Sequence, residues 1–284
     1  MTPPQSPSAR TNASAPLQIK GDVVLVGAGK MGSALLEGWI GLGVDPARIA
    51  IIEPQPAGPV TALATRGLRI NPDATTLRPD AVVIAVKPQI APQIMPDIAA
   101  FTRPSTVTVS IMAGRTIAFL AGALPDGAAI VRAMPNTPAA IGRGITVAVP
   151  HSVSPLQRSL ADALLAATGA VEWIDDEALM DAVTAVSGSG PAYVFLLTEC
   201  LARAGQNAGL PSDLAARLAR ATVAGSGELL YRSSAEAAVL RQNVTSPGGT
   251  TAAALGVLMA LDGLAPLMDR AVAAATKRGR ELAG

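Results

Sequence analysis

A glycine-rich turn between a strand and a helix is the feature that most constrains the fold of this chain. Residues 22–29, "DVVLVGAG", predict a buried β-strand, and residues 30–43, "KMGSALLEGWIGLG", predict a helix. Residues 27–32, where the strand meets the helix, have the pattern G-x-G-x-x-G. In this pattern the first glycine makes the turn, the second admits a pyrophosphate and the third lets the helix pack on the strand. This context favours a dinucleotide site over an ordinary glycine-rich turn. The candidate cofactor residues here are Gly27, Ala28, Gly29, Lys30, Met31 and Gly32.

Strands and helices continue to alternate along the first part of the chain. Further strand-like runs lie at residues 48–54, 81–86, 105–112, 128–135 and 144–150. Beyond about Trp173 the runs are helical, with short Gly and Pro breaks. The pattern predicts an α/β fold, with an N-terminal Rossmann-type doubly wound, largely parallel sheet and a C-terminal all-helical domain. We expect a disordered tail at 1–19, a dinucleotide-binding domain at 20–176 and a helical substrate-binding and dimerisation domain at 177–284.

The predicted C-terminal helices are apolar on more than one face and rich in Ala and Gly. A helix that is apolar on all faces is normally buried. A domain of roughly a hundred residues cannot easily bury that much apolar surface within itself. We therefore expect helices from two chains to interlock, so that helices of both chains line each active site. A compact monomeric bundle is the alternative.

Composition excludes several classes of partner. The formal net charge is +1, so there is no electrostatic footprint for nucleic acid and no basic face for a membrane surface. The longest apolar runs fall well short of the about 20 residues that span a bilayer, and no apolar signal-peptide core is evident. We expect a soluble, cytoplasmic protein that acts on a small molecule.

The chain contains one histidine, His151, and one cysteine, Cys200. An intrachain disulfide and a Cys/His metal cluster are therefore both excluded, and we expect no metal. A Ser-His-Asp triad would have to use His151, which we interpret as a surface-loop residue because it lies in a polar turn after a predicted strand. Cys200 lies in an apolar helical stretch, which predicts a small buried thiol.

Two further segments follow predicted strands, where open α/β sheets bind their ligands. Glu53 ends the second strand about twenty residues after Gly32, the position at which an acid binds the adenosine ribose hydroxyls of NAD. The string "AVKP" follows a later strand. Lys87 in that string would meet a cofactor phosphate or face solvent, and we favour backbone contact with the cofactor over catalysis by its amine.

The segment "VTSPGGTTAAAL" at 244–255 places proline, two glycines and a cluster of hydroxyls before an alanine-rich helix. One interpretation is a helix start alone, because Ser and Thr are preferred N-caps and Pro-Gly is a common turn. The other is an anion nest, in which glycines at positive φ, Gly249 among them, turn backbone N–H groups inward at a helix N-terminus. Such a nest would bind a carboxylate or a phosphate.

Several separate strings together resemble the pyrroline-5-carboxylate reductases. They are "VGAGKMGSAL", "AVKPQ", "VRAMPNTPA", "DAVTAVSGSGPAY" and, most specifically, "NVTSPGGTTAAAL". The resemblance runs from about Asp22 to Glu281. It implies NADPH- or NADH-dependent reduction of 1-pyrroline-5-carboxylate to L-proline, the last step of proline biosynthesis, by a homodimer or a ring of dimers.

The resemblance also assigns residues. The family's carboxylate-binding loop matches Ser246 to Thr251. The resemblance therefore implies that the anion bound by this turn is a carboxylate rather than a phosphate. Positions that match the family's cofactor contacts are Ala85, Val86, Lys87, Pro88, Met112, Ala113 and Asn243. Relatives that favour NADPH tend to carry small hydroxyl or basic residues where this chain has Glu53-Pro54-Gln55, so we expect NADH to be used at least comparably. Some relatives have a glutamate at the position of Ser234, and that acidic role does not carry over.

The scarcity of acid-base residues fits reduction of a cyclic imine. A ketone needs a proton donor at the forming alkoxide, whereas a protonated imine is already cationic and is neutralised by hydride. We expect the N–H groups of Gly249, Thr250 and Thr251, with the Ser246 hydroxyl, to hold the substrate carboxylate. We expect Thr251 to act as the catalytic residue at the ring nitrogen. The predicted substrate-binding residues are Ser246, Gly248, Gly249, Thr250 and Thr251.

Two other functions remain open at this point. A small hydroxy-acid dehydrogenase of similar architecture would use a catalytic lysine on a C-terminal helix, where the chain offers only Lys277. A non-catalytic dinucleotide sensor would use its helices for assembly alone, and the hydroxyl-rich nest argues against it.

Overall fold

The computed structural model describes residues 21–283, so the predicted tail at 1–19 lies outside the described residues. The described chain forms two compact units. One unit comprises residues 21–189 together with 275–283, and the other is Gly190–Ala274.

The first unit is built on a sheet in the order β3-β2-β1-β4-β5-β6-β7-β8. Neighbouring strands are parallel except β6 and β7, which are antiparallel, and the register pairs Val24 with Ala50 on one side and with Val82 on the other. The prediction of a doubly wound, largely parallel sheet is confirmed. The strands are β1 (Asp22–Val26), β2 (Ile49–Ile52), β3 (Arg69–Ile70), β4 (Pro79–Ile84), β5 (Val107–Ser110), β6 (Ala129–Met134), β7 (Gly144–His151) and β8 (Gly169–Trp173).

Helices cover both faces of this sheet. Val23 and Leu25 of β1 belong to one core and Val24 and Val26 to another, because successive side chains of a strand point to opposite faces. This two-sided burial explains why the strands are continuous apolar runs. The helices of this unit are α1 (Lys30–Gly41), α2 (Gly58–Ala62), α3 (Ala91–Phe101), α4 (Ile117–Ala123), α5 (Pro155–Ala166) and α6 (Met180–Val183), followed by a π-helix at Thr184–Gly188.

Helix α1 is anchored firmly beside the sheet. Trp39 is fully buried, and its indole Nε1–H donates to the Leu164 carbonyl of α5 at 2.8 Å. A Cβ on Gly38 would lie 2.6 Å from the Ala167 carbonyl oxygen, so only glycine allows α1 this approach. These contacts fix the direction of α1 and therefore where its N-terminus points.

The second unit is helical, as expected, and its helices leave large apolar side chains exposed in the single chain. Between Gly190 and Ala274 the buried hydrophobic residues are Ala215 and Ala219 alone, whereas Phe195 is 62% exposed and Val257 73%. The helices are α7 (Gly190–Asn207), α8 (Ser212–Arg232), α9 (Ala237–Asn243), α10 (Thr250–Leu258) and α11 (Leu264–Ala283), the last of which continues into the first unit.

Two interpretations of single residues need correction. His151 is exposed as expected, but it is the last residue of β7 rather than part of a loop. Cys200 on α7 is only partly buried, contrary to the expected buried thiol. The physical reason is that much of the apolar surface of α7 has no cover within one chain.

Candidate active site

The three glycines of the turn after β1 have three different surroundings. Gly27 has φ +92°, and a Cβ there would lie 2.8 Å from the Ala85 carbonyl oxygen. A Cβ on Gly32 would overlap the Gly27 carbonyl oxygen, so this residue sets the packing of α1 on the strand. Gly29 faces open space, since no atom of the described residues 21–283 lies within 4 Å of its ideal Cβ position. That open position is where a pyrophosphate can approach the backbone.

The N-terminus of α1 has the donors that an anion needs. Gly29 is the N-cap residue, and it provides no side-chain cap. Within residues 21–283, the first-turn N–H groups of Lys30, Met31 and Gly32 have no hydrogen-bond partner. Because a helix N-terminus carries about half a positive charge, these groups are suited to an anion such as phosphate.

Glu53 lies directly beside this turn. Its carboxylate Oε2 accepts the Ala28 N–H at 2.9 Å, and Oε1 accepts the Gln55 N–H at 3.1 Å. The side chain of Asn71, just after β3, in turn holds the Glu53 backbone at both its N–H and its carbonyl. Sequence reasoning missed Asn71 because a two-residue strand has no detectable periodicity. The Asn-Pro dipeptide at this point is a turn signal that would have drawn attention to it.

The turns after β4 and β5 are joined by a residue that the sequence did not single out. Arg115 donates from Nε and Nη2 to the Pro88 carbonyl at 3.0 and 2.7 Å, and its guanidinium stacks on Phe119 at 4.6 Å. Lys87 is exposed. Met112 is 2% exposed, so its side chain belongs to the core, whereas Ala113 is exposed. The structure thus gathers the candidate residues of the first unit at the carboxyl ends of β1, β2, β4 and β5.

The Ser246–Thr251 turn lies in the second unit, between α9 and α10. Gly248 adopts φ +71°, and Gly249, the N-cap of α10, adopts φ −79°. The expectation that Gly249 needs a positive φ is wrong. A Cβ at residue 249 would instead lie 2.5 Å from the Ser246 Oγ, so any side chain there would displace that hydroxyl. Asn243, an exposed residue, ends α9 shortly before this turn.

The hydroxyls of this turn do not cap the helix. Within residues 21–283 no side chain caps α10. The Gly249 N–H, which we expected to hold the carboxylate, donates instead to the Ser246 carbonyl at 3.1 Å because it closes the turn, so that expectation is wrong. Among the described residues, neither the N–H groups of Thr250 and Thr251 nor the two threonine hydroxyls have a partner. Thr251 is half-buried and Thr250 exposed. The turn therefore leaves these donors open at the N-terminus of α10, where the first N–H groups of a helix have no intrahelical partner.

Two features are absent from the described part of the chain, a cluster of metal ligands and a membrane-spanning helix. Residues 21–283 contain no group of three or more His, Cys, Asp or Glu side chains that could hold a metal ion. None of the helices in that range has the length and apolar character needed to cross a membrane.

Comparison with known proteins places these features in a family. The model for pyrroline-5-carboxylate reductase dimerisation matches residues 177–282, and the model for NADP oxidoreductase, coenzyme F420-dependent, matches residues 22–114. The pyrroline-5-carboxylate reductase of Pseudomonas aeruginosa is 39% identical over 92% of this chain and 96% of its own length. That of Synechocystis is 40% identical over 91% of this chain and 97% of its own.

Solved structures agree with the sequence comparisons. A pyrroline-5-carboxylate reductase from Coxiella burnetii superposes with a TM-score of 0.87 at 32% identity, covering 94% of this chain and 100% of its own. The Plasmodium falciparum pyrroline carboxylate reductase, determined with NADP bound, gives a TM-score of 0.77 at 29% identity and covers 93% of this chain and 99% of its own.

The glycine turn, the sheet order and the open N-terminus of α1 define an NAD(P)H-dependent oxidoreductase with a Rossmann-type domain. A helical domain of the matched dimerisation type follows it, so the protein forms an oligomer. The chain belongs to the pyrroline-5-carboxylate reductase family. The hydroxy-acid dehydrogenase and the dinucleotide sensor are not favoured.

Proposed function

We propose that this protein reduces 1-pyrroline-5-carboxylate to L-proline with NAD(P)H, and that the turn at 246–251 holds the substrate. The observation that carries the second part is the set of unpaired N–H and hydroxyl donors at the N-terminus of α10. Reduced nicotinamide, when bound, supplies a hydride. The remaining work of the chain is to bind, orient and stabilise charge.

The carboxylate of the substrate is held by the N–H groups of Thr250 and Thr251 and by the Ser246 hydroxyl. Gly248 contributes its positive φ, which shapes the turn, and Gly249 contributes the absence of a Cβ, which leaves the hydroxyl in place. The N–H of Gly249 is engaged within the turn, so it is not one of the donors we assign. Each charge-assisted hydrogen bond contributes about 1.5–3 kcal/mol.

The hydroxyl of Thr251 contacts the ring nitrogen. It is the half-buried hydroxyl of the turn, and its backbone N–H is free to hold the carboxylate of the same molecule. A protonated imine needs no further proton when hydride arrives at carbon, so no histidine is required at the site. The exposed position of His151 at the end of β7 is consistent with that chemistry.

The cofactor is held by the turn at 27–32, with its pyrophosphate at the N-terminus of α1. The turns that contain Ala85, Val86, Lys87 and Pro88, and Met112 and Ala113, supply further contacts, as does Asn243. The carboxylate of Glu53 accepts bonds from the ribose diol of NADH and repels the 2′-phosphate of NADPH. NADH is therefore used at least comparably with NADPH.

The oligomer is a homodimer or a ring of dimers assembled through the C-terminal helices, and the enzyme acts in the cytoplasm. The apolar side chains that α7, α8 and α10 leave exposed support assembly through these helices, because a monomer in water would expose them all.

A single assay tests the proposed function. Purified protein is mixed with 1-pyrroline-5-carboxylate and NADH or NADPH, and the loss of reduced nicotinamide absorbance is followed while proline is quantified. Stoichiometric formation of proline is expected. Absence of turnover with both cofactors, together with oxidation of a small hydroxy acid in a parallel assay, would refute the assignment.

A further inference from the structure

Asn71 makes a reciprocal pair of hydrogen bonds with the backbone of Glu53. Its Oδ1 accepts the Glu53 N–H at 2.9 Å, and its Nδ2 donates to the Glu53 carbonyl at 2.9 Å. The Asn71 N–H donates to the Ile51 carbonyl at 2.7 Å. Asn71 has φ +48°, a conformation that Asn adopts more readily than most other residues. One side chain therefore fixes the point at which β2 ends.

The Glu53 carboxylate is fixed independently at its other end by the Ala28 and Gln55 N–H groups. The acid is thus held both at its backbone and at its carboxylate, beside the turn that binds the cofactor. A negative charge held in place repels a 2′-phosphate more effectively than one that can move away, since a mobile side chain would retreat from the phosphate.

We propose that Asn71 is a positioning residue for cofactor selectivity. By holding the backbone of Glu53, Asn71 keeps the carboxylate where it accepts the ribose diol of NADH and opposes the 2′-phosphate of NADPH. This inference rests on the role proposed for Glu53. When the amide is removed, residues 53–55 can shift, the affinity for NADH falls and the repulsion of NADPH weakens.

The test compares the ratio of kcat/KM with NADH to kcat/KM with NADPH in four proteins: wild type, Asn71→Gly, Glu53→Ser and the double variant. Glycine removes the amide and tolerates the positive φ. The ratio is expected to fall about 3- to 10-fold in Asn71→Gly, the range of one ordinary hydrogen bond. It should fall further in Glu53→Ser, and the double variant should match Glu53→Ser because Asn71 acts through Glu53.

Two more variants separate positioning from general stability. Asn71→Ala also removes the amide but strains the positive φ, so it should lower the ratio by the same factor while losing more thermal stability. Thr76→Ala removes a 2.7 Å hydrogen bond to the Asp73 carbonyl in the following loop without touching Glu53, and should leave the ratio unchanged.

The possible failures are distinguishable. If Glu53→Ser shifts the ratio and Asn71→Gly does not, the role of Asn71 is wrong and that of Glu53 stands. If Glu53→Ser has no effect on the ratio, the assignment of Glu53 fails and the inference fails with it. A shift of the ratio by Asn71→Gly that persists in the Glu53→Ser background would mean that Asn71 contacts the cofactor itself. An equal loss of kcat/KM with both cofactors would mean that Asn71 has only a structural role. Either result overturns the proposal.

Discussion

Gly249 packs so closely on Ser246 that a methyl group at this position should displace the Ser246 hydroxyl. The ideal Cβ of residue 249 lies 2.5 Å from Ser246 Oγ and 3.2 Å from the Ser246 carbonyl oxygen. The φ of −79° suits any residue, so the backbone can stay while the hydroxyl moves. Gly249→Ala is therefore a selective probe of the position of that hydroxyl.

The expected effect follows from the proposed contact between this hydroxyl and the substrate carboxylate. Loss of one charge-assisted hydrogen bond of about 1.5–3 kcal/mol raises KM for 1-pyrroline-5-carboxylate about 10- to 100-fold. Because the carboxylate is held equally before and during hydride transfer, kcat should change little. Initial rates of cofactor oxidation over a range of substrate concentrations give both constants.

Ser246→Ala provides the matched control. The Ser246 Cβ lies 3.7 Å from the ideal Cβ of residue 249, an ordinary van der Waals distance, so in the double variant only the 3.2 Å contact with the Ser246 carbonyl oxygen remains tight. The double variant should then have the KM of Ser246→Ala alone. A further tenfold rise in the double variant would locate the damage in the backbone, and an unchanged KM in Gly249→Ala would refute the contact between hydroxyl and carboxylate.

Three further predictions concern the reacting nitrogen, the cofactor and the assembly. Thr251→Ala keeps the N–H, so kcat should fall about 10- to 100-fold with binding largely retained, and Thr251→Ser should recover most of the rate; a change in KM alone would make the hydroxyl a binding group. Glu53→Ser should move cofactor use toward NADPH, and a strong wild-type preference for NADPH that the variant leaves unchanged would contradict the assignment. Phe195→Asp should dissociate the oligomer in light scattering because it would bury a charge, whereas Leu156→Asp, 81% exposed on α5, should not; equal masses for the two variants would argue against the C-terminal interface.

The sequence alone was sufficient to predict the strands of the sheet in the first unit, apart from the two at its edges. Strands β1, β2 and β4 to β7 are apolar runs next to turn residues, and such local patterns determine local structure. The two edge strands, β3 and β8, were not predicted. β3 has two residues, and β8 is only partly buried along its length, so neither has the strong apolar pattern of an interior strand.

Within the candidate site, the sequence identified the segments and the tertiary structure decided the part each residue plays. The string at 246–251 indicated an anion nest, but the positive φ belongs to Gly248, and Gly249 matters for its close approach to the Ser246 hydroxyl. Local sequence cannot distinguish two adjacent glycines, because backbone angles depend on how the flanking helices are joined.

Glu53 was found from the sequence, whereas its hydrogen-bond partners were found only from the tertiary structure. Its position at the end of β2 was evident from its spacing to the glycine turn, whereas Asn71 and Ala28 reach it only because β3, β2 and β1 lie side by side in the sheet. Arg115 likewise reaches Pro88 from the turn after a neighbouring strand. Residue types and short spacings indicate which chemistry a chain can perform. Hydrogen bonds between residues distant in sequence form only when the sheet brings strand ends together, and the structure was needed to find them.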